Sequence, residues 1–136
     1  MVIVMFGTND TKLYFHRTPY EIANGMGKLA GQILTSAYDV GTVYPAPKLL
    51  IVCPPPLVPM PHVWFQGMFE RGREKTWDLP KYYAALAHFL HADFLDAGDF
   101  TDTDGVDGIH FTAENNAALG KAIAGKAAEI FARNGQ

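Results

Sequence analysis

Val2-Ile-Val-Met-Phe6 and Leu49-Leu-Ile-Val-Cys53 decide the fold. Each is an unbroken apolar run rich in β-branched residues, without the polar alternation of a half-exposed strand. Such runs read as strands covered on both faces, the kind that build parallel sheets. Between them, Thr18-Pro-Tyr-Glu21 marks a helix start. Thr18 can cap, Pro19 suits the first helical position, and Glu21 completes a capping box. Ile22, Met26, Leu29, Ile33 and Leu34 then recur at helical spacing to about Ala37, ahead of a loop over 41–47. Past the second run, five of the nine prolines fall within 54–61, so 54–66 is expected as loop. A weaker helical pattern covers 68–91 through Tyr82, Tyr83, Leu86, Phe89 and Leu90, with Pro80 expected to kink or divide it. Residues 94–97 read as a short third strand and 98–110 as a loop rich in Asp and Gly. Thr112 caps a last helix over 113–133, with Leu119, Ile123, Ala127 and Ile130 on one face and Asn134-Gly135 closing it. Strand and helix thus alternate three times. That order predicts an α/β fold, a partial parallel sheet of about three strands with right-handed crossovers. It runs through 1–136 as one domain, with no repeat or linker.

Composition excludes several function classes. The chain has 136 residues and a net charge of −3, with 11 basic against 14 acidic side chains. A mildly acidic chain is a poor binder of phosphate backbones, so no nucleic-acid partner is expected. Cys53 is the single cysteine, so no internal disulfide can form. No apolar run approaches the ~18 residues of a membrane span. The start is apolar from Met1, without a basic leader or cleavage region, so a cytoplasmic location is expected. The sequence contains one serine, Ser36.

In open α/β sheets, ligands bind beyond the carboxyl ends of the strands. Three segments occupy that rim: 7–17, 54–66 and 98–111. In Asp107-Gly-Ile-His110 the carboxylate can fold back onto the imidazole, fix its tautomer and leave the other ring nitrogen to act as a base. The same residues also suit an Asp-rich loop whose carboxylates only cap turns. In Gly7-Thr-Asn-Asp10, the Asn9 amide follows a buried strand and can aim hydrogens at a developing oxyanion. Taken alone, these residues read first as an Asx turn, with Gly and Asn chosen for backbone geometry.

Other constellations are weaker. His88 and His91 lack a third ligand at metal spacing, so no metal is expected. Asp102, Asp104 and Gly105 resemble part of a calcium loop, but Phe100 and Phe111 then occupy the first and twelfth positions, where carboxylates belong. Phosphate-binding glycine motifs are absent, which disfavours a nucleotide or flavin module.

Taken together, Gly7-x-Asn9-Asp10 after the first strand and Asp107-x-x-His110 before the last helix resemble the third and fifth conserved blocks of the SGNH (GDSL) hydrolases. The chain is most similar to the arylesterase and aqueous acyltransferase branch. Gly7-Thr-Asn-Asp-Thr11, Tyr44-Pro-Ala-Pro-Lys48, Pro54-Pro-Pro56 with Pro59-Met-Pro-His62, and Asp104-Gly-Val-Asp-Gly-Ile-His-Phe-Thr112 carry that likeness. The resemblance implies a flavodoxin-like three-layer α/β/α fold, no cofactor, and a serine esterase or acyltransferase acting on small aryl esters. It implies His110 as general base, Asp107 as its orienter and Asn9 as an oxyanion donor. Gly7 would allow the turn and Asp10 would support the loop. Within 54–66, Pro55, Met60, His62, Trp64 and Phe65 would shape an apolar acyl or alcohol channel. A rigid proline-rich loop against a neighbouring subunit fits them as well.

One departure is large. The family's nucleophile lies in a Gly-Asp-Ser block after its first strand, and no such block occurs here. Ser36 sits near the end of a long helix, at the wrong end of the crossover. The chain therefore reads as the C-terminal part of such an enzyme, keeping sheet positions 3-4-5 of the order 2-1-3-4-5. Its first strand would then be a bare apolar edge, which invites pairing. The expected partners are an N-terminal complementing fragment or further copies of the chain. The alternative is an inactive fragment that only assembles.

Overall fold

In the computed structural model the chain is described over residues 1–36 and 45–133. The second apolar run forms strand β2, Leu49–Cys53, at the centre of a three-stranded sheet. Strand β1, Val2–Val4, and strand β3, Asp93–Asp96, flank it, both parallel. Val2, Ile3 and Val4 lie opposite Leu49, Leu50 and Ile51, and Leu50 to Cys53 oppose Asp93 to Asp96. Every residue of β2 is buried, because both faces of the sheet are covered.

The period-two alternation of β2 feeds two cores. Leu49, Ile51 and Cys53 pack with Val4 against helix α1, Pro19–Thr35, and helix α3, Gly72–Phe89. Leu50 and Val52 pack with Leu95 and Ala97 against Leu119 and Ile130 of helix α4, Ala113–Ala132. The result is three layers, as expected. The Thr18 capping box is complete: Thr18 Oγ1 accepts from the Glu21 N–H at 3.2 Å, and the Glu21 carboxylate accepts from the Thr18 N–H at 2.7 Å.

Five expectations are corrected. The first strand ends at Val4 rather than Phe6 and is not covered on both faces. Ile3 is 42% exposed on the sheet face that its neighbour Leu50 buries, and it joins neither core. The 54–66 loop contains the start of a short helix, α2, Val63–Met68, begun by His62, whose Nδ1 accepts from the Trp64 N–H at 3.2 Å. The helix expected from 68 starts only at Gly72, since Arg71 adopts a left-handed backbone, φ 58°. Pro80 neither divides nor ends α3. A proline inside a helix costs ~3 kcal/mol, and burial of Leu79, Tyr83 and Ala87 on the sheet side outweighs it. Phe89, assigned to the apolar pattern, is exposed. The 113–133 and 94–97 assignments shift by one residue or less at each end. Most of the 41–47 loop and the Asn134-Gly135 stop lie outside the described residues. Among the described residues no helix is long and apolar enough to cross a membrane.

Candidate active site

The three rim segments are bound to one another. The first leaves β1 through Gly7, whose φ of 127° suits glycine alone. A Cβ there would lie 2.5 Å from the Tyr83 hydroxyl, which donates to the Phe6 carbonyl at 2.9 Å. A single 3-10 turn, Asn9–Thr11, follows. It presents Asn9 to solvent, and its amide makes no side-chain hydrogen bond among the described residues. Asp10 sits behind it, paired with Arg17 at 3.1 Å. Thr11 is fully buried, and its carbonyl accepts from the Lys75 ammonium at 3.1 Å.

The second segment meets the first at Gly72. A Cβ on Gly72 would touch Phe69, Leu57 and the Thr11 hydroxyl at 3.1–3.3 Å, so only glycine lets α3 begin there without displacement. Leu57, Met60 and Phe69 form a small core of their own, joined by Phe65, Met68 and Ile109. Of the five candidate channel residues, Pro55 and Met60 are therefore interior, Phe65 is half-buried, and His62 and Trp64 are exposed.

The third segment carries Asp107 and His110. Asp107 Oδ2 lies 2.6 Å from His110 Nδ1, and Oδ1 accepts the backbone N–H groups of Ile109 and His110, both at 2.9 Å. The His110 N–H chiefly, then the imidazole and the Ile109 N–H, hold the carboxyl down to about 2 against a raising effect of burial. An ionised carboxylate only accepts, so Nδ1 carries the proton, and in the neutral ring Nε2 keeps its lone pair. The imidazole is 79% exposed, and among the described residues no side chain bonds Nε2.

Sequence reasoning did not single out the residues that hold this turn. Thr103 is 1% exposed, and its hydroxyl lies 3.1 Å from the Pro56 carbonyl, 3.0 Å from the Gly108 carbonyl and 3.1 Å from the Val58 N–H. Gly108, at φ 77°, comes so close to the second segment that a Cβ would lie 2.9 Å from the Pro59 carbonyl. Outside the turn, the Asn115 side chain of α4 donates to the Asp104 carboxylate and, at 2.9 Å, to the Asp102 carbonyl. The only signals available were a buried-compatible Thr and a Gly in a D-x-x-H spacing.

Other candidates stay apart from the site. Ser36 caps the far end of α1, exposed, with its hydroxyl donating back to the Ile33 carbonyl at 2.7 Å. Because α1 runs from the rim back to the start of β2, that end lies away from His110. Cys53 is fully buried, and burial pushes its thiol well up. Among the described residues no three His, Cys, Asp or Glu side chains are grouped to hold a metal.

Solved structures resemble this chain over nearly its whole length. A carbohydrate acetylesterase from Sinorhizobium meliloti superposes with a TM-score of 0.92 at 64% identity, over 95% of this chain and 60% of its own. The native aryl esterase of M. smegmatis superposes at 0.91 and 59% identity, over 94% and 60%. The chain belongs to this SGNH-type esterase family. A further carbohydrate acetylesterase family member from S. meliloti matches at 0.82 and 33% identity, over 89% and 56%. The chain thus spans about 60% of the length of the first two esterases. No family model and no curated protein sequence matches it.

Proposed function

We propose that the chain supplies the base-bearing part of a serine ester hydrolase or acyltransferase for small acyl esters of aryl or carbohydrate alcohols. The observation that carries this reading is the His110 Nδ1 to Asp107 Oδ2 contact of 2.6 Å, with Nε2 left free on an exposed imidazole. The identity to esterases of both kinds supports the substrate class.

The chemistry follows from the arrangement. A serine hydroxyl attacks the ester carbonyl as His110 Nε2 takes its proton, and Asp107 stabilises the imidazolium. The tetrahedral oxyanion is held by N–H donors, among them the Asn9 amide. Collapse expels the alcohol, which leaves with the proton from His110. Water or a second alcohol then attacks the acyl-serine, again through His110. Trp64 and Phe65, the latter backed by buried Met60, wall the acyl or alcohol side. Asp10 and Gly7 hold the Asn9 turn in place.

The nucleophile in this reading lies outside residues 1–136, since Ser36 is the single serine and is displaced from the rim. A serine-bearing segment, or a second polypeptide, would pair along the open edge of β1. The competing reading is an inactive fragment that only assembles, and the position of Ser36 favours it for the chain alone. Turnover of p-nitrophenyl acetate decides between them. Residues 1–136 are expected to be inert alone and active with the serine-bearing part, with activity abolished by His110→Ala. Activity that survives His110→Ala defeats the assignment of the base. Intact mass of active material identifies the second polypeptide.

A further inference from the structure

We infer that Thr103 is the positioning residue that sets the Asp107–His110 pair against the wall of the substrate channel, an assignment that rests on the ester-hydrolase reading above. Thr103 lies on neither the pair nor the channel. It sits four residues before Asp107 and is buried between the second and third rim segments. Its hydroxyl has one proton and two lone pairs. The carbonyls of Pro56 and Gly108 are both within reach of the proton, at 3.1 and 3.0 Å, and the Val58 N–H points at a lone pair from 3.1 Å. One buried hydroxyl thus bonds both sides of the seam.

Other contacts cross the seam beside it, among them Ile109 packed on the Leu57, Met60 and Phe69 core. Val58 N–H also reaches the Gly108 carbonyl at 3.3 Å, and Leu57 and Thr103 share an isolated parallel bridge. Gly108 permits the approach but supplies no side chain. Asp107 and His110 flank Gly108, so the Thr103 hydroxyl is a side-chain tie between their turn and the second segment, while within the turn the Gly105 N–H donates to the His110 carbonyl at 3.0 Å. Removing the hydroxyl leaves buried backbone groups short of a partner, and the turn can shift to recover them. A displacement of about 1 Å at a base is enough to cost on the order of 100-fold in rate.

The test reads the imidazole directly, in the 136-residue chain. The 15N spectrum of neutral histidine distinguishes the Nδ1–H tautomer from the Nε2–H tautomer, and His110 is assigned by the signal that His110→Gln removes. The parent is expected to hold His110 as Nδ1–H. Thr103→Val, nearly the same shape without the hydroxyl, is expected to lose that preference while remaining folded by circular dichroism. Thr103→Ser, which keeps the hydroxyl, is expected to restore it. A folded Thr103→Val that keeps the parental tautomer overturns the assignment. So does a folded Thr103→Ser that loses it, which also decides the matter should the valine variant not fold. A parent without the Nδ1–H tautomer defeats the Asp107–His110 pair itself, and with it the hydrolase reading. In the serine-complemented enzyme, kcat should fall about 10- to 100-fold in Thr103→Val with KM little changed.

Discussion

The Asp107 carboxylate binds His110 at both ends of the residue: Oδ2 is 2.6 Å from the imidazole Nδ1, and Oδ1 accepts the backbone N–H at 2.9 Å. One side chain therefore shapes the turn and orients the ring. Substitutions should separate these two roles. Asp107→Asn keeps the shape but can offer its NH2 to Nδ1, which favours the wrong tautomer. In the serine-complemented enzyme it should lower kcat by roughly 10²- to 10⁴-fold with little change in KM. Asp107→Ala should add a loss of about 1–3 kcal/mol in stability, since two N–H groups lose their acceptor. Steady-state kinetics with p-nitrophenyl acetate and urea unfolding measure the two effects. Equal kinetics in Asp107→Asn and the parent would remove Asp107 from the mechanism.

The same bonds predict a pH dependence. Asp107 is held below its ordinary value, down to about 2, so folding favours the ionised form. A carboxyl lowered in this way contributes stability that is fully present above its ordinary value near 4 and is lost as pH falls towards 2. Asp107 is close to solvent, so screening keeps the effect small. The difference in melting temperature between the parent and Asp107→Asn should shrink as pH falls from about 4 towards about 2. A difference that grows between about pH 4 and about pH 2 contradicts the bonding pattern.

Residues with a strong local signature were legible before the structure was known. β2 is placed to the residue, because five apolar residues between prolines leave no other reading. The Thr18 box and the D-x-x-H contact are equally local: each closes within three residues. What was not legible depends on distant neighbours. Ile3 is exposed on the face where its neighbour Leu50 is buried, a fact of packing rather than of the run 2–6. α2 begins on a histidine cap, a poor cap by type, inside a segment dominated by prolines. Pro80 looked like a break until the buried face of α3 was seen to continue beneath it. Thr103 carries no motif, and its importance lies in contacts made 45 and 47 residues away.

Gly7 and Tyr83 should behave as a coupled pair. Tyr83 anchors the Phe6 carbonyl through a buried hydroxyl, and that hydroxyl fills the space a Gly7 side chain would need. Tyr83→Phe should cost about 1 kcal/mol. Gly7→Ala should cost about 2–4 kcal/mol, from the positive φ and the clash together. In Tyr83→Phe the obstructing oxygen is gone, so the double variant should be less destabilised than the sum of the two. A double-mutant cycle by urea unfolding reads the coupling. Strict additivity would show that backbone strain alone accounts for Gly7.

The edge of β1 gives the last prediction. Val2–Val4 bonds β2 on one side, its other side meets no strand among the described residues, and Ile3 is left half in water. Apolar, β-branched edges of this kind recruit another strand. Sedimentation of residues 1–136 alone should therefore show species larger than the monomer. Ile3→Lys places a charge at that edge and should move the distribution towards monomer without unfolding the chain, because Ile3 belongs to neither main core. If the edge is instead the seat of a serine-bearing segment, adding that segment should dissolve the self-association and Ile3→Lys should weaken its capture. A parent that stays monomeric and captures no such segment would show that β1 is a tolerated edge, and the search for the nucleophile would then have to move to another face.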